Sequence, residues 1–479
     1  MYIGLDLGTS ALKGILTDNK GVVLRESSVS YPVYYPANGW CQQEPSDWLN
    51  AVNRVIAALS DGFKDKIKGL SVGGQMHGLI VLDAFDKVIR PCILWNDGRT
   101  EKETEYLNSV VGKEKLSDLT ANIAFAGFTA PKLLWLKNNE PENFAKIAKI
   151  MLPKDYIVYK LTGVHSTDYS DASGTLLLDV KNKRWSSEMC DICSVKKEWL
   201  PKLYESYETV GKILPEYGLD NCIVTAGAGD NAAAAVGTGT IFDGDCNVSL
   251  GTSGTVFISQ DVFSVDKKNA LHSFAHANGK WHMLGCILSA ASCNKWWLED
   301  VLGTKDYDNA VIGAHCGDNG VYFLPYLMGE RSPHNDVNAR GAFIGMRANT
   351  TKKDLSLAVI EGVTFALRDC VEIARESGLK VTSTNLCGGG SKSKVWRQLI
   401  ADILNVDVYM TTDQGPSFGA AILAMVGAKE YDDLDKAVNS IIKRRLVASP
   451  DEKAVRLYDK KYSVWKTLYP SLKRCFELM

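Results

Sequence analysis

The sequence has no marked excess of charge of either sign. Its 479 residues include 54 Lys and Arg against 56 Asp and Glu, a formal net charge of −2 at pH 7. A protein that binds DNA or RNA usually carries a clustered basic excess. The same balance gives no support for attraction to a membrane surface. We therefore expect neither nucleic acid nor a membrane among its partners.

Long hydrophobic runs are also missing. The longest apolar stretches fall well short of the roughly 20 residues that cross a bilayer as a helix. No positively charged segment precedes an apolar run near Tyr2-Ile3-Gly4, so the sequence carries no sign of a secretory signal. From these two absences we expect a cytoplasmic location.

The cysteines lack a pairing pattern. The 12 Cys residues are scattered along the chain, which is typical of reduced, buried thiols rather than of a disulfide framework. Cys190 and Cys193 form one CxxC, but no second pair lies at the spacing of a zinc site. We interpret both as small core or loop residues. The remaining composition is that of an ordinary globular protein, and the length predicts about two to four domains.

Segments with strand and helix patterns alternate from the start of the chain. IGLDLGTS, ALKGILTD and VVLRESSVSYPV predict three consecutive strands, and apolar residues at helical spacing predict a helix from about Pro45. KIKGLSVGG and LIVLD predict two more strands. This order is typical of an α/β domain with antiparallel pieces at the edge of its sheet.

One strand–turn–strand pattern occurs twice. The residues LGTS follow the first strand as Leu7–Ser10 and recur as Leu250–Ser253, each time between two apolar strands. Four matching residues could arise by chance, but the matching context favours a duplicated α/β unit. We predict two domains, residues 1–243 and 244–479, with the boundary near the interrupting stretch TIFDGD.

Both LGTS turns are candidate phosphate sites. Glycine lets backbone N–H groups approach a phosphate closely, because no Cβ stands in the way. A plain hairpin turn is the alternative. CGGGSKS at 387–393 is not a P-loop, since Ser391 separates Gly390 from Lys392. A glycine run between a strand and a helix with Ser391 as its N-cap still favours a nucleotide over a loop without a ligand.

Three polar loops in the first half follow predicted strands: GGQMHG at 73–78, WNDGRT at 95–100 and GAGDN at 227–231. Asp230 comes directly after a glycine turn, at the strand end where α/β sheets present catalytic groups. It could equally be the N-cap of the following helix. These loops predict that the first half holds a polar small molecule and the second half a nucleotide.

Several of these stretches resemble a known family. IGLDLGTSALKGIL, SLGTSG and CGGGSKS resemble the nucleotide-binding elements shared by sugar kinases, heat-shock ATPases and actin. GFTAPKLLWLKNN at 127–139 and GAFIGMRANTTKKDLSLAVIE at 341–361 resemble the two signatures of the FGGY carbohydrate kinases. GQMHG, ILWNDGRT, LPKDY, SDASGT, GDNAAAAVG and FLPYLMGERSPHN resemble, in the same order, those members that phosphorylate D-xylulose.

The resemblance implies a fold and a reaction. The fold is two ribonuclease-H-like α/β domains around a catalytic cleft, the first for the sugar and the second for the nucleotide. The reaction is transfer of the ATP γ-phosphate to D-xylulose. By position, Asp230 is implied as the general base and Asp6 as the carboxylate that organises the phosphates. Both are implied to hold Mg²⁺ through water, and a homodimer is implied by the habit of the family.

The resemblance also implies the binding residues. Four sugar contacts are implied, all in the first domain: Gln75, Met76, His77 and Asn231. Six nucleotide contacts are implied, with the first four near the phosphates and the last two beside the adenosine: Thr9, Lys13, Gly251, Thr252, Gly389 and Gly390.

Other functions compete with this reading. Relatives acting on ribulose, a deoxyketose, gluconate or a polyol would share the fold and the base, so only QMHG and WNDGRT favour xylulose. An actin- or chaperone-like ATPase is the alternative from another class, but the polar loops and both signatures oppose it. A sugar sensor without enzymatic activity would not need Asp6 and Asp230 together.

Overall fold

Two compact units make up the structure, a computed structural model that describes residues 1–266, 268–307, 309–311, 317, 319–411 and 415–479. The first unit comprises Met1–Ile241, Ser273–Trp281 and Asp413–Ile442, and the second comprises Phe242–His272, His282–Thr412 and Lys443–Met479. The main change of unit falls within TIFDGD, and later stretches of the chain return to the first unit. No described helix is long and apolar enough to cross a membrane.

A mixed sheet forms the centre of the first unit. In spatial order its main strands are Thr209–Lys212, Ile223–Thr225, Gly69–Gly74, Tyr2–Leu7, Ala11–Thr17 and Val23–Ser30, and Ala228–Gly229 pairs with Gly69–Gly74. The first three strands along the chain are antiparallel, as the sequence predicts. Tyr2–Leu7 also pairs in parallel with Gly69–Gly74.

The second unit repeats this arrangement. In spatial order, six strands of its seven-stranded sheet are Trp281–Ile287, Gly254–Gln260, Cys246–Leu250, Ser383–Cys387, Asp407–Thr411 and Arg444–Ala448. Cys246–Leu250 pairs antiparallel with Gly254–Gln260 and parallel with Ser383–Cys387. In both units, therefore, the strand that precedes LGTS lies between its hairpin partner and a parallel strand. This shared pairing supports the predicted duplication.

Short strand pairs and helices complete both units. The remaining strands are Gln42–Gln43, Ile80–Leu82, Cys92–Ile93, Lys149–Met151, Ser166–Asp168, Leu178–Asp179, Arg184–Trp185, Lys202–Tyr204, His272–Ala275, Tyr322–Leu324 and Ala342–Ile344. The first unit has the α-helices Pro45–Ser60, Glu101–Glu105, Lys113–Thr120, Thr129–Asn139, Pro141–Phe144, Pro153–Thr162, Tyr169–Ser173, Ser187–Ile192, Asp230–Thr238, Pro416–Gly427 and Leu434–Ile441. The second has Ala291–Lys295, Lys352–Glu376, Lys394–Leu404, Glu452–Trp465 and Leu468–Phe476.

Local sequence explains the long helices. In Pro45–Ser60 the predicted apolar face is buried, and the proline occupies the first helical position, where its missing N–H costs no hydrogen bond. Lys352–Glu376 begins at a capping box, because the Thr351 side chain accepts from the backbone of Asp354 and the Asp354 side chain accepts from that of Thr351. Each helix buries its apolar face within its own unit.

Glycines allow two helices and the first strand to pack backbone against backbone. A Cβ on Gly419 would lie 1.8 Å from the carbonyl oxygen of Ala233, and one on Gly4 would lie 1.9 Å from that of Ser417. No side chain tolerates such distances to rigid backbone atoms. The helix that begins at Asp230 is thereby fixed against the helix Pro416–Gly427, and so is the first strand.

Replacing Gly419 by alanine should destabilise the first unit. The new methyl group must push two backbones apart, and the cost of such overpacking, about 1–3 kcal/mol, outweighs the helix propensity gained. We expect Gly419→Ala to lower the melting temperature by about 3–10 °C, measured by calorimetry. Gly211→Ala is the matched control, since its Cβ meets no atom closer than 3.5 Å. Equal melting temperatures for both variants would contradict the packing argument.

Candidate active site

Asp6 lies near the end of the central strand Tyr2–Leu7. It faces Lys13 across the antiparallel pair and Gly73 across the parallel pair. Its half-buried carboxylate has no hydrogen-bond partner within the described part of the chain. Burial raises its pKa to about 6, and the positive charge of Lys13 opposes that shift. Burial of this carboxylate therefore costs free energy, and no hydrogen bond from a described residue offsets that cost.

Asp230 is the first residue of the helix Asp230–Thr238, and Gly229 is the N-cap. The interpretation of Asp230 as the N-cap is therefore wrong. Its Oδ1 accepts hydrogen bonds from the Asn231 backbone at 2.7 Å and from the Asn231 amide at 3.1 Å. Burial raises its pKa to about 7, and the negative charge of Asp6 adds to the effect. A proton is held more tightly near another negative charge, so the two carboxylates lie close enough for Asp6 to act on Asp230.

This carboxylate pair fits magnesium. The described residues contain no group of three or more His, Cys, Asp or Glu side chains that could hold a metal. Mg²⁺ needs fewer protein ligands, because it usually takes one or two carboxylates and keeps several waters. A divalent cation would give the unbonded oxygens of Asp6 a partner. It would also reduce the repulsion between Asp6 and Asp230.

Met76 and His77 form a turn beside Asn231. His77 adopts a left-handed backbone with φ of 68°, a conformation that costs a non-glycine residue about 1–3 kcal/mol. Its ring Nδ1 lies 2.8 Å from the carbonyl oxygen of Gly174, and the ring stacks on Phe128 with centroids 4.6 Å apart. The Asn231 amide nitrogen is 3.9 Å from the Met76 sulfur. Three of the four predicted sugar contacts thus lie together.

Two residues of the stretch 127–139 hold the backbone of His77. The Thr129 hydroxyl and the Lys132 ammonium donate to the His77 carbonyl oxygen at 3.1 and 2.9 Å. Lys132 also donates to the carbonyl of Gly127 at 2.7 Å, and its complete burial lowers its pKa to about 7. Sequence reasoning assigned no role to Thr129 or Lys132. Their only signal was membership of the family signature.

The other predicted residues of the first unit lie at or beside its LGTS turn, Leu7–Ser10. Thr9 follows the central strand, and its hydroxyl donates to the side-chain oxygen of Gln75 at 3.1 Å. Gln75, the fourth predicted sugar contact, is buried, and its amide nitrogen donates to Gln43 at 3.0 Å. Lys13 is exposed on the neighbouring strand, opposite Asp6.

The second unit contains a cavity of about 880 Å³, within the usual range for small-ligand sites. Four predicted nucleotide contacts line it: Gly251, Thr252, Gly389 and Gly390. Trp296, Tyr307 and Trp396 provide aromatic walls, and Lys295 and Lys392 provide positive charge. Such a lining suits a flat apolar base joined to phosphates.

The glycine run at this cavity is built differently from the prediction. Gly389–Lys392 forms a short 3₁₀ turn, and the following helix is Lys394–Leu404. Its N-cap is Ser393, whose hydroxyl accepts from the Trp396 backbone at 3.3 Å, so Ser391 is not the cap. Gly388 has φ of +84°, and a Cβ there would lie 2.6 Å from the backbone of Leu250. Gly388 therefore serves backbone packing, while Gly389 meets open space.

Comparisons with known proteins agree with this arrangement. Residues 1–237 match the N-terminal domain of the FGGY family of carbohydrate kinases, and residues 246–428 match its C-terminal domain. A xylulose kinase of Escherichia coli (strain K12) is 39% identical over 98% of this chain and 99% of its own length. A solved xyloylose kinase from Brucella ovis is 38% identical with a TM-score of 0.94, covering 99% of both chains. A gluconate kinase from Lactobacillus acidophilus also has a TM-score of 0.94, at 29% identity over 98% of both chains.

The two carboxylates should lower stability at neutral pH. Their folded pKa values, about 6 for Asp6 and about 7 for Asp230, lie above the ordinary value of 3.8. Between these limits the folded state keeps protons that the unfolded state has released, so stability falls as pH rises through that window. Above pH 7 the full penalty is present, and near pH 4 it is absent.

We therefore expect Asp6→Asn and Asp230→Asn each to raise the melting temperature at pH 8 by about 2–4 °C. The gain should disappear near pH 4. Thermal scans at both pH values check this, with the exposed Asp220→Asn as the control. A large loss of stability at pH 8 in Asp6→Asn would return Asp6 to a structural role.

Proposed function

The chain belongs to the FGGY family of carbohydrate kinases, and on that premise we propose that it transfers the γ-phosphate of ATP to D-xylulose, giving D-xylulose 5-phosphate. Membership of the family implies use of ATP. The observation that carries the substrate is the cluster of Met76, His77 and Asn231 beside Asp230. It is supported by 39% identity to a xylulose kinase over nearly the full length.

Asp230 is the general base in this proposal. It accepts the proton of the sugar hydroxyl as that oxygen attacks phosphorus, a contribution of typically 10²–10⁴-fold. A pKa of about 7 suits this task, because a base is most effective when its pKa lies near the working pH. Asn231 donates twice to one carboxylate oxygen and so orients the other toward the sugar.

Asp6 and Asp230 would hold Mg²⁺, which when bound supplies charge neutralisation on the phosphates. Asp6 would fix the position of this ion from the central strand. In the second unit, Gly251 and Thr252 would contact the phosphates, and Gly389 and Gly390 would flank the adenosine along the aromatic walls of the cavity. Phosphoryl transfer depends mainly on positioning and electrostatics, and these residues would supply both.

Phosphorylation of gluconate is the main alternative, because the gluconate kinase from Lactobacillus acidophilus has a similar structure and a common fold does not determine the sugar. A homodimer and a cytoplasmic location stay predictions from the sequence.

A substrate panel tests the proposal. With Mg-ATP and a set of pentuloses, hexuloses, gluconate and polyols, release of ADP should be fastest with D-xylulose. Asp230→Ala should abolish sugar-dependent release while an ATP analogue still binds, because Asp6 and the cavity of the second unit are unchanged. A higher rate with gluconate or another ketose would overturn the substrate and leave the family standing. Near-normal turnover of Asp230→Ala would overturn the base.

His77→Ala should affect the sugar far more than the nucleotide. Removing the ring deletes its stacking on Phe128 and its bond to Gly174, so the turn Met76–His77 loses its shape. We expect the KM for D-xylulose to rise at least tenfold and the KM for ATP to change less than threefold, about 1.4 and 0.65 kcal/mol respectively. His165→Ala, which loses a similar ring bond to the Ile150 carbonyl, is the matched control. Equal changes in both KM values would argue against a sugar contact.

A further inference from the structure

The turn Gly8–Ser10, here called the first turn, has all three of its carbonyl oxygens occupied. The Tyr31 hydroxyl donates to Gly8 at 2.5 Å, the Gln43 amide donates to Thr9 at 2.7 Å, and the Tyr31 backbone donates to Ser10 at 3.3 Å. The backbone N–H groups of Thr9 and Ser10 have no acceptor among the described residues. The carbonyl oxygens of the turn therefore bond to partners inside the protein, and two N–H donors are left for a ligand.

Gln43 holds the centre of this turn in one orientation. Its amide nitrogen donates to the carbonyl oxygens of Thr9 at 2.7 Å and Pro32 at 3.1 Å. Its amide oxygen accepts from the Trp48 indole at 3.2 Å. A carbonyl can only accept and an indole N–H can only donate, so the amide cannot be reversed. The side chain is fully buried, which makes each of these bonds costly to lose.

This orientation determines the next two links. The Gln43 oxygen also accepts from the amide nitrogen of Gln75 at 3.0 Å. The Gln75 oxygen therefore faces the Thr9 hydroxyl, which must donate to it at 3.1 Å. The same hydroxyl accepts from the Trp95 indole at 3.0 Å. A hydroxyl has one proton, so Thr9 has none to offer a phosphate.

We propose that Gln43, remote in sequence from every predicted site residue, is a positioning residue for the phosphates of ATP. It holds the carbonyl of Thr9 away from the ligand and fixes Gln75, which in turn commits the hydroxyl of Thr9. A phosphate at the first turn then receives hydrogen bonds from the backbone N–H groups of Thr9 and Ser10 alone. This inference rests on the proposed function, because it takes the ligand of the turn to be ATP.

The sugar turn does not depend on Gln43 in the same way. His77 is held by Thr129, Lys132 and Gly174, and none of these shares a hydrogen bond with Gln43 in the described structure. Gln75 is the one predicted sugar contact that bonds to Gln43, but its side-chain nitrogen and oxygen are taken by Gln43 and Thr9, and its backbone keeps the bond to Leu7 at 2.9 Å. Loss of Gln43 should therefore weaken the binding of ATP more than that of the sugar.

Gln43→Leu tests the proposal, with Gln260→Leu as the matched control. Gln260 is also fully buried, and among the described residues its amide bonds only to Ser264. For Gln43→Leu we expect the KM for ATP to rise at least tenfold and that for D-xylulose to stay within threefold. For Gln260→Leu both values should stay within threefold. An unchanged KM for ATP in Gln43→Leu, or equal rises in both KM values, would overturn the role.

Two further measurements keep the proposal testable if Gln43→Leu fails to fold. Tyr31→Phe removes only the donor to Gly8, and it should raise the KM for ATP in the same direction. Trp95→Phe removes only a donor to the Thr9 hydroxyl, and it should leave the KM for ATP within threefold, because that hydroxyl still donates to Gln75 and gives no proton to the phosphate. No effect of Tyr31→Phe, or a tenfold rise in the KM for ATP in Trp95→Phe, would refute the arrangement.

Calorimetric titration with a non-hydrolysable ATP analogue separates this inference from the proposed function. If no sugar is phosphorylated but Gln43→Leu still loses at least tenfold in affinity for the analogue, the proposed reaction fails and the positioning role stands. If D-xylulose is phosphorylated and the affinity of Gln43→Leu is unchanged, the reaction stands and the positioning role fails.

Discussion

Burial of two carboxylates near one another is the constraint around which the first unit is arranged. Asp6 and Asp230 come from a central strand and from a helix start, and each has a raised pKa. They are kept near one another because glycines let that helix and the strand pack against Pro416–Gly427 at backbone distance. In the proposed function, this loss of stability accompanies a pair that holds a cation and accepts a proton, a common trade at active sites.

The two units prepare similar turns by different means. In the first unit, side chains from Tyr31 and Gln43 occupy the carbonyl groups of the turn. In the second, the start of the helix Ala291–Lys295 does so, since the backbone of Ala291 donates to Gly251 and that of Ala290 donates to Thr252. In both, the carbonyl oxygens are turned toward the protein, which favours an anion on the other side. The two units thus share the strand pairing but differ in the residues that support the turn.

The family signature at 127–139 has a structural explanation in this molecule. Lys132 and Thr129 hold the carbonyl of His77, and Phe128 stacks on its ring. These contacts offset the cost of a left-handed backbone at a residue with a side chain. The stretch thus shapes the turn Met76–His77, and the burial of Lys132 is explained by the two carbonyl groups to which it donates.

The sequence by itself determined the features that depend on neighbours along the chain. Alternating apolar residues predicted the central strands, the repeated LGTS predicted the two similar hairpins, and the glycine turn before Asp230 predicted a carboxylate at the end of a strand. The sequence predicted the N-caps of helices less well, because several small polar residues near a helix start can serve as the cap. The cap is Gly229 where Asp230 was a candidate, and it is Ser393 where Ser391 was expected. Only the tertiary structure decided which distant side chains support the site. Lys132 meets His77 across 55 residues, and Gln43 meets Gln75 across 32. Such bonds follow from the packing of whole elements, which local patterns do not encode.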